Sequence, residues 1–151
     1  MMMNKRKVFK LYNVIFPIWM LVFFPQTWLI VIPANFIVDS LVLFISILKL
    51  KINEKKVFYK KYILRIFTFG MISDIIGSLF LFALLMLRIS QTGDEFYFTI
   101  PAVVLSAFLI YMLNYYFTFQ SLDRNIRLKL SIVFAIITAP YTFLIPLNWL
   151  Y

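Results

Sequence analysis

The chain reads as an all-α integral membrane protein, a bundle of about five transmembrane helices with its N-terminus cytoplasmic. Three observations lead there. Hydrophobic residues make up 64% of the sequence and mean hydropathy is +0.93, well above the roughly 45–50% apolar content of soluble domains. Apolar runs are long enough to cross ~30 Å of hydrocarbon, which takes about 20 helical residues at ~1.5 Å each. The basic residues lie in clumps between those runs: Lys5, Arg6, Lys7 and Lys10; then Lys49, Lys51, Lys55, Lys56, Lys60, Lys61 and Arg65; then Arg124, Arg127 and Lys129. Five spans place every clump on one face and leave only Arg88, Asp94 and Glu95 on the other, as the positive-inside rule requires.

The spans follow in order within a single domain, 1–151. Residues 8–48 are almost continuously apolar but interrupted at Pro17, Pro25 and Pro33. Proline disfavours helix at itself and at the preceding residue. Pro25-Gln26-Thr27 is therefore the expected turn of a tight hairpin, with spans at 8–24 and 28–48. The basic start followed by an apolar run resembles a signal peptide, but Pro25-Gln26-Thr27-Trp28 offers no small-x-small cleavage site. A retained first helix is expected. A basic segment of about a dozen residues around 49–61 leads to a third span at 62–87. Gln91-Thr92-Gly93-Asp94-Glu95 is a polar turn before the fourth span, 97–120. A basic loop, 121–129, precedes the fifth span, 130–150; Pro33 in the second span and Pro140 and Pro146 in the fifth are expected to kink their helices. Trp28, Tyr97, Trp149 and Tyr151 fall at one predicted interface, and Tyr12, Tyr59, Tyr62, Tyr115 and Tyr116 at the other. Trp19 and Tyr141 fit neither belt and are expected to face other helices.

Composition also excludes chemistry. With no Cys and no His there can be no disulfide, thiolate or imidazole chemistry, and no Cys/His metal site. No cofactor is implied. The net charge of +9 would suggest nucleic acid in a soluble protein, but here the charges flank helix ends. The partner they imply is the anionic headgroup layer on the cytoplasmic side. A bacterial-type cytoplasmic membrane is the expected location.

Two carboxylates fall inside the predicted hydrocarbon, Asp39 and Asp74. Asp39 lies eleven residues from Trp28 and Asp74 ten from Leu64, so both come out roughly 15 Å deep, from opposite sides. Each costs about 2.5–3.5 kcal/mol at a helix centre, and no Lys or Arg shares their depth. Each is expected to be protonated, hydrogen-bonded to neutral donors, or neutralised by a bound cation. Asn35, one turn before Asp39, and Ser73, beside Asp74, complete the candidate ion or proton site. Gly70, Ser73 and Gly77, with Ser78 at the edge, form a small-residue face on which another helix can approach closely. Tyr111, Asn114 and Thr118, with Ala107, form a secondary polar stripe. Ser131, Ala135, Thr138 and Thr142 form another on the last span. Both stripes are expected to hold helices in register.

These residues favour a small H⁺- or Na⁺-linked transporter or channel-like protein, working as a homo-oligomer or beside a larger membrane partner. The alternative is a non-catalytic accessory or immunity-type protein that docks through the Gly70/Ser73/Gly77 face. An intramembrane aspartyl enzyme is disfavoured. Two Asp residues can share a proton and activate water, but the segment Phe69-Gly70-Met71-Ile72-Ser73-Asp74 lacks a Gly-x-Gly-Asp motif.

Overall fold

The computed structural model describes residues 23–90 and 96–145. Among them are four helices long and apolar enough to cross a membrane, rather than the five expected: Pro25–Lys49, Lys55–Met86, Phe96–Thr118 and Arg124–Leu144. The chain is thus an all-α, multi-pass membrane protein. The expected first span, 8–24, lies outside the described residues apart from Phe23 and Phe24, as do Pro17, Trp19, the turn at 91–95, and Pro146, Trp149 and Tyr151.

Helix α1 (Pro25–Lys49) begins at the proline expected to sit in a turn. The correction has a simple cause. A helix's first residues have no intrahelical acceptor for their N–H groups, so the N–H that proline lacks is not missed there. The turn closes one residue earlier, where the backbone N–H and hydroxyl of Thr27 both donate to the Phe24 carbonyl. Pro33 sits within α1 without ending it.

Helix α2 (Lys55–Met86) starts seven residues before the expected position, 62. The Lys-rich stretch is helix, and the linker shrinks to 50–54. Lysine is a good helix former, and hydropathy marks where lipid begins rather than where the helix begins. At ~1.5 Å per residue α2 is about 48 Å long, so its first turns project beyond the hydrocarbon. The same reasoning corrects the last span: α4 (Arg124–Ile137) begins at Arg124, not at 130.

Helix α3 (Phe96–Leu113) runs into a π turn at Asn114–Thr118, where the Phe119 N–H donates to the Asn114 carbonyl five residues back at 2.9 Å. After Ile137 the last span breaks and resumes as a 3₁₀ turn, Tyr141–Leu144. Pro140 has no N–H to give the Ile136 carbonyl, and the Tyr141 hydroxyl donates to that carbonyl instead. Such a substitute partner is needed where no water can reach. Tyr141 therefore serves its own helix and is half exposed, in contrast to the helix-facing role expected of it.

The helices form a ring, α1 against α2, α2 against α3 and α3 against α4, closed by a sparser seam between α4 and α1. Two apolar clusters fill it. One, near the end that carries Lys49 and Arg124, contains Leu43, Ile47, Tyr62, Ile66, Phe119 and Phe134. The other, toward the opposite end, contains Leu81, Ala102, Val103, Ala139 and Phe143. Outward faces are equally apolar: Leu29, Ile30, Leu64, Val104 and Ile136 are all exposed. That is the pattern of a bundle in lipid, where the surroundings are as apolar as the core.

Candidate functional site

Between the two apolar clusters α1, α2 and α4 leave a polar cavity of about 30 Å³, lined by Asn35, Val38, Asp39, Gly70, Met71, Asp74 and Thr138. Seating one water takes roughly 10–15 Å³ of free volume, so the space suits a water or one bare monovalent cation. Asn35 and Asp39 are one helical turn apart on α1. Gly70 and Asp74 stand in the same relation on α2, so each helix presents both residues on one face. Both carboxylates thus line a single cavity.

Asp39 packs beside Gly70. Asp39 is only 4% exposed, and a Cβ placed on Gly70 would lie 3.5 Å from Asp39 Oδ2. Asp74 is held from α1: Asn35 Nδ2 donates to Asp74 Oδ2 at 3.4 Å and lies 3.3 Å from Met71 Sδ. The second carboxylate oxygen, Asp74 Oδ1, is buried and has no hydrogen-bond partner among the described residues. Thr138 donates its hydroxyl proton to the Phe134 carbonyl at 2.9 Å, which leaves its oxygen an acceptor. Among the described residues no basic side chain lines the cavity. The lining therefore offers hard oxygen atoms, the donors that suit protons and alkali or alkaline-earth cations rather than soft metals. Among the described residues no group of three His, Cys, Asp or Glu side chains could grip a metal ion.

A second cavity of about 390 Å³ shares Asn35, Val38, Asp74 and Thr138 with the first. It continues along the α1/α4 seam past Ala34 and Ile30 to Tyr141 and Thr142, away from the basic clumps. The break at 138–140 lies in its lining.

The other expected residues go elsewhere. Ser73 does not line the cavity: its hydroxyl donates to the Phe69 carbonyl at 2.8 Å, and its own carbonyl accepts from Ser106 Oγ at 3.0 Å. The small-residue face is filled within the chain. A Cβ on Gly77 would collide with Ser106 Oγ, and would lie 3.0 Å from the Phe143 ring and 3.3 Å from the Ala102 carbonyl. Ser78 is fully buried beside it. On this face Gly77 is covered by α3 and Phe143, while Gly70 meets Asp39 of α1. Asn114 and Thr118 are buried, yet the Asn114 amide donates to Ile110 of its own helix at 2.9 Å. Tyr111 stacks on Tyr115, over which Arg127 also lies. Besides Asn35 to Asp74, side-chain bonds between helices run through Tyr59 to Ser40 at 2.8 Å and from Ser106 to the Ser73 carbonyl, and Tyr62 bonds Ser121 of the α3–α4 turn at 2.8 Å.

Two contributors were not singled out for the site. Thr138 carried a signal, its place in a semi-polar stripe, but a stripe does not say which neighbour it meets. Met71 carried none. Ser106 was legible in retrospect as the partner of Ala102 in a small-xxx-small pair facing Gly77.

No protein-family model matches the chain, and neither curated proteins nor solved structures yield a match.

Proposed function

We propose that this protein is a small cation-linked transporter or channel-like protein, in which Asp39 and Asp74 together hold one H⁺ or Na⁺. One observation carries the reading: two carboxylates line a one-ion cavity that holds no basic side chain and that borders a larger cavity along the α1/α4 seam. Two like charges in so small a space repel strongly at low dielectric, and a single shared proton or cation removes most of that cost. Helix register alone can be held by Asn or Ser more cheaply than by Asp, which favours a functional role for the pair. Asn35 orients Asp74, and Thr138 supplies a further oxygen.

The larger cavity gives the site its approach from the end opposite Lys49 and Arg124. Leu43, Ile66 and Phe134 pack on the other side, so transfer across the membrane needs movement at the α1/α4 seam or a neighbouring subunit. By the positive-inside rule the basic end is cytoplasmic, in a bacterial-type cytoplasmic membrane. Flux in proteoliposomes under an imposed pH or Na⁺ gradient tests the proposal. Wild type should conduct, and Asp39→Asn and Asp74→Asn should both abolish flux while folding is kept. Wild-type flux no greater than in empty liposomes would sink it.

A further inference from the structure

Another opening lies on the same seam but at its basic end, and neither carboxylate lines it. It is a groove of about 450 Å³ between α1 and α4 with an almost wholly apolar lining, including Val42, Ile45, Leu130 and Val133. Lys49, in the last turn of α1, and Lys129, in the second turn of α4, also line it. Both helices have their basic ends at the same membrane face, so both lysines stand at one end of a slot that runs toward the midplane. Among the described residues neither lysine makes an ion pair.

The field at that end has one sign. Positions 49–65 and 124–129 carry ten Lys and Arg residues, against Glu54 within them and Asp123 beside them. An apolar slot inside the bilayer with paired cations at headgroup depth matches one class of molecule. We propose that this groove is a binding site for one anionic phospholipid, whose acyl chain lies against Val42, Ile45 and Val133 and whose phosphate is held between Lys49 and Lys129. This differs from general attraction to a charged surface, because it predicts one lipid at one place. It is also independent of the cation proposal.

Native mass spectrometry of the full chain in detergent, titrated with phosphatidylglycerol and separately with phosphatidylcholine, tests it. One phosphatidylglycerol should be retained at saturation, and phosphatidylcholine should bind far more weakly. Lys49→Gln/Lys129→Gln should weaken retention roughly 30-fold, since each lysine near an anionic surface contributes about fivefold. The charge-matched control Lys51→Gln/Lys61→Gln should leave it within about twofold. A photo-cross-linker at Ile45 should capture phospholipid. Equal binding of the two lipids, or equal loss in both double variants, would overturn the site in favour of diffuse electrostatics. Retention of inorganic phosphate as strongly as phosphatidylglycerol would overturn the lipid assignment. So would an Ile45 adduct with a second copy or with another segment of the same chain.

Discussion

Replacing Gly77 with alanine probes a close contact between α2 and α3. A methyl group there would collide with Ser106 Oγ, with the Phe143 ring at 3.0 Å and the Ala102 carbonyl at 3.3 Å behind it. Ser106 can rotate away only by giving up its 3.0 Å bond to the Ser73 carbonyl. Neither the Ala102 backbone nor the buried Phe143 ring can yield easily, so α2 and α3 must separate by a few tenths of an ångström. Overpacking of this kind costs about 1–3 kcal/mol, and the lost interhelical bond about 0.6–2 kcal/mol. Alanine's better helix propensity returns about 0.8–1 kcal/mol. The expected net loss is about 1–4 kcal/mol. Gly70→Ala is the internal control. It gains the same propensity, and its Cβ meets only Asp39 Oδ2 at an ordinary 3.5 Å, so it should be neutral or slightly stabilising. Reversible unfolding in mixed micelles, followed by circular dichroism, measures both. Ser106→Gly should recover part of the Gly77→Ala loss by removing the nearest atom. Wild-type stability for Gly77→Ala, or equal losses at the two glycines, would refute the close approach.

Asn35→Leu removes the donor to Asp74 and should cost about 1–3 kcal/mol, with a matching loss of any Na⁺-dependent rise in Tm; an unchanged Tm would detach Asn35 from the site. Arg127 donates to the Tyr115 hydroxyl at 3.0 Å and stacks over its ring at 4.2 Å. Arg127→Lys keeps the charge but loses the planar stack, and a drop in stability of about 0.5–1 kcal/mol should follow. Because the chain has no Cys, single cysteines report topology directly. Asn53→Cys and Asn125→Cys should react with impermeant maleimide only from the cytoplasmic side, and Ile89→Cys only from the other.

Much of this architecture is legible in the residues themselves. Long apolar runs between basic clumps require membrane helices, because a backbone in hydrocarbon must satisfy its own hydrogen bonds. Counting residues inward from Trp28 and Leu64 gives Asp39 and Asp74 a common depth, because helical rise is fixed. Gly77 announced a close approach because only a missing side chain permits one. Helix ends were less legible: Lys55 to Lys61 and Arg124 to Lys129 look like loops to hydropathy, yet helices persist through them where water replaces lipid.

What the tertiary structure alone decided is which faces meet. In a soluble helix the apolar stripe points at the core, but here Leu64 and Ile136 face lipid while Ile66 and Phe134 face inward, and nothing in their chemistry distinguishes them. Rotation about each helix axis is set by the fit of small and polar side chains to their neighbours. That fit turned Ser73 toward its own helix, covered Gly77 with α3, and brought Thr138 from the last span beside the two carboxylates. It also left the α1/α4 seam loose, so that the cavity beside Asp74 and the groove beside Lys49 and Lys129 both lie along it. The depth of the carboxylates was written in the sequence, but their meeting depended on packing.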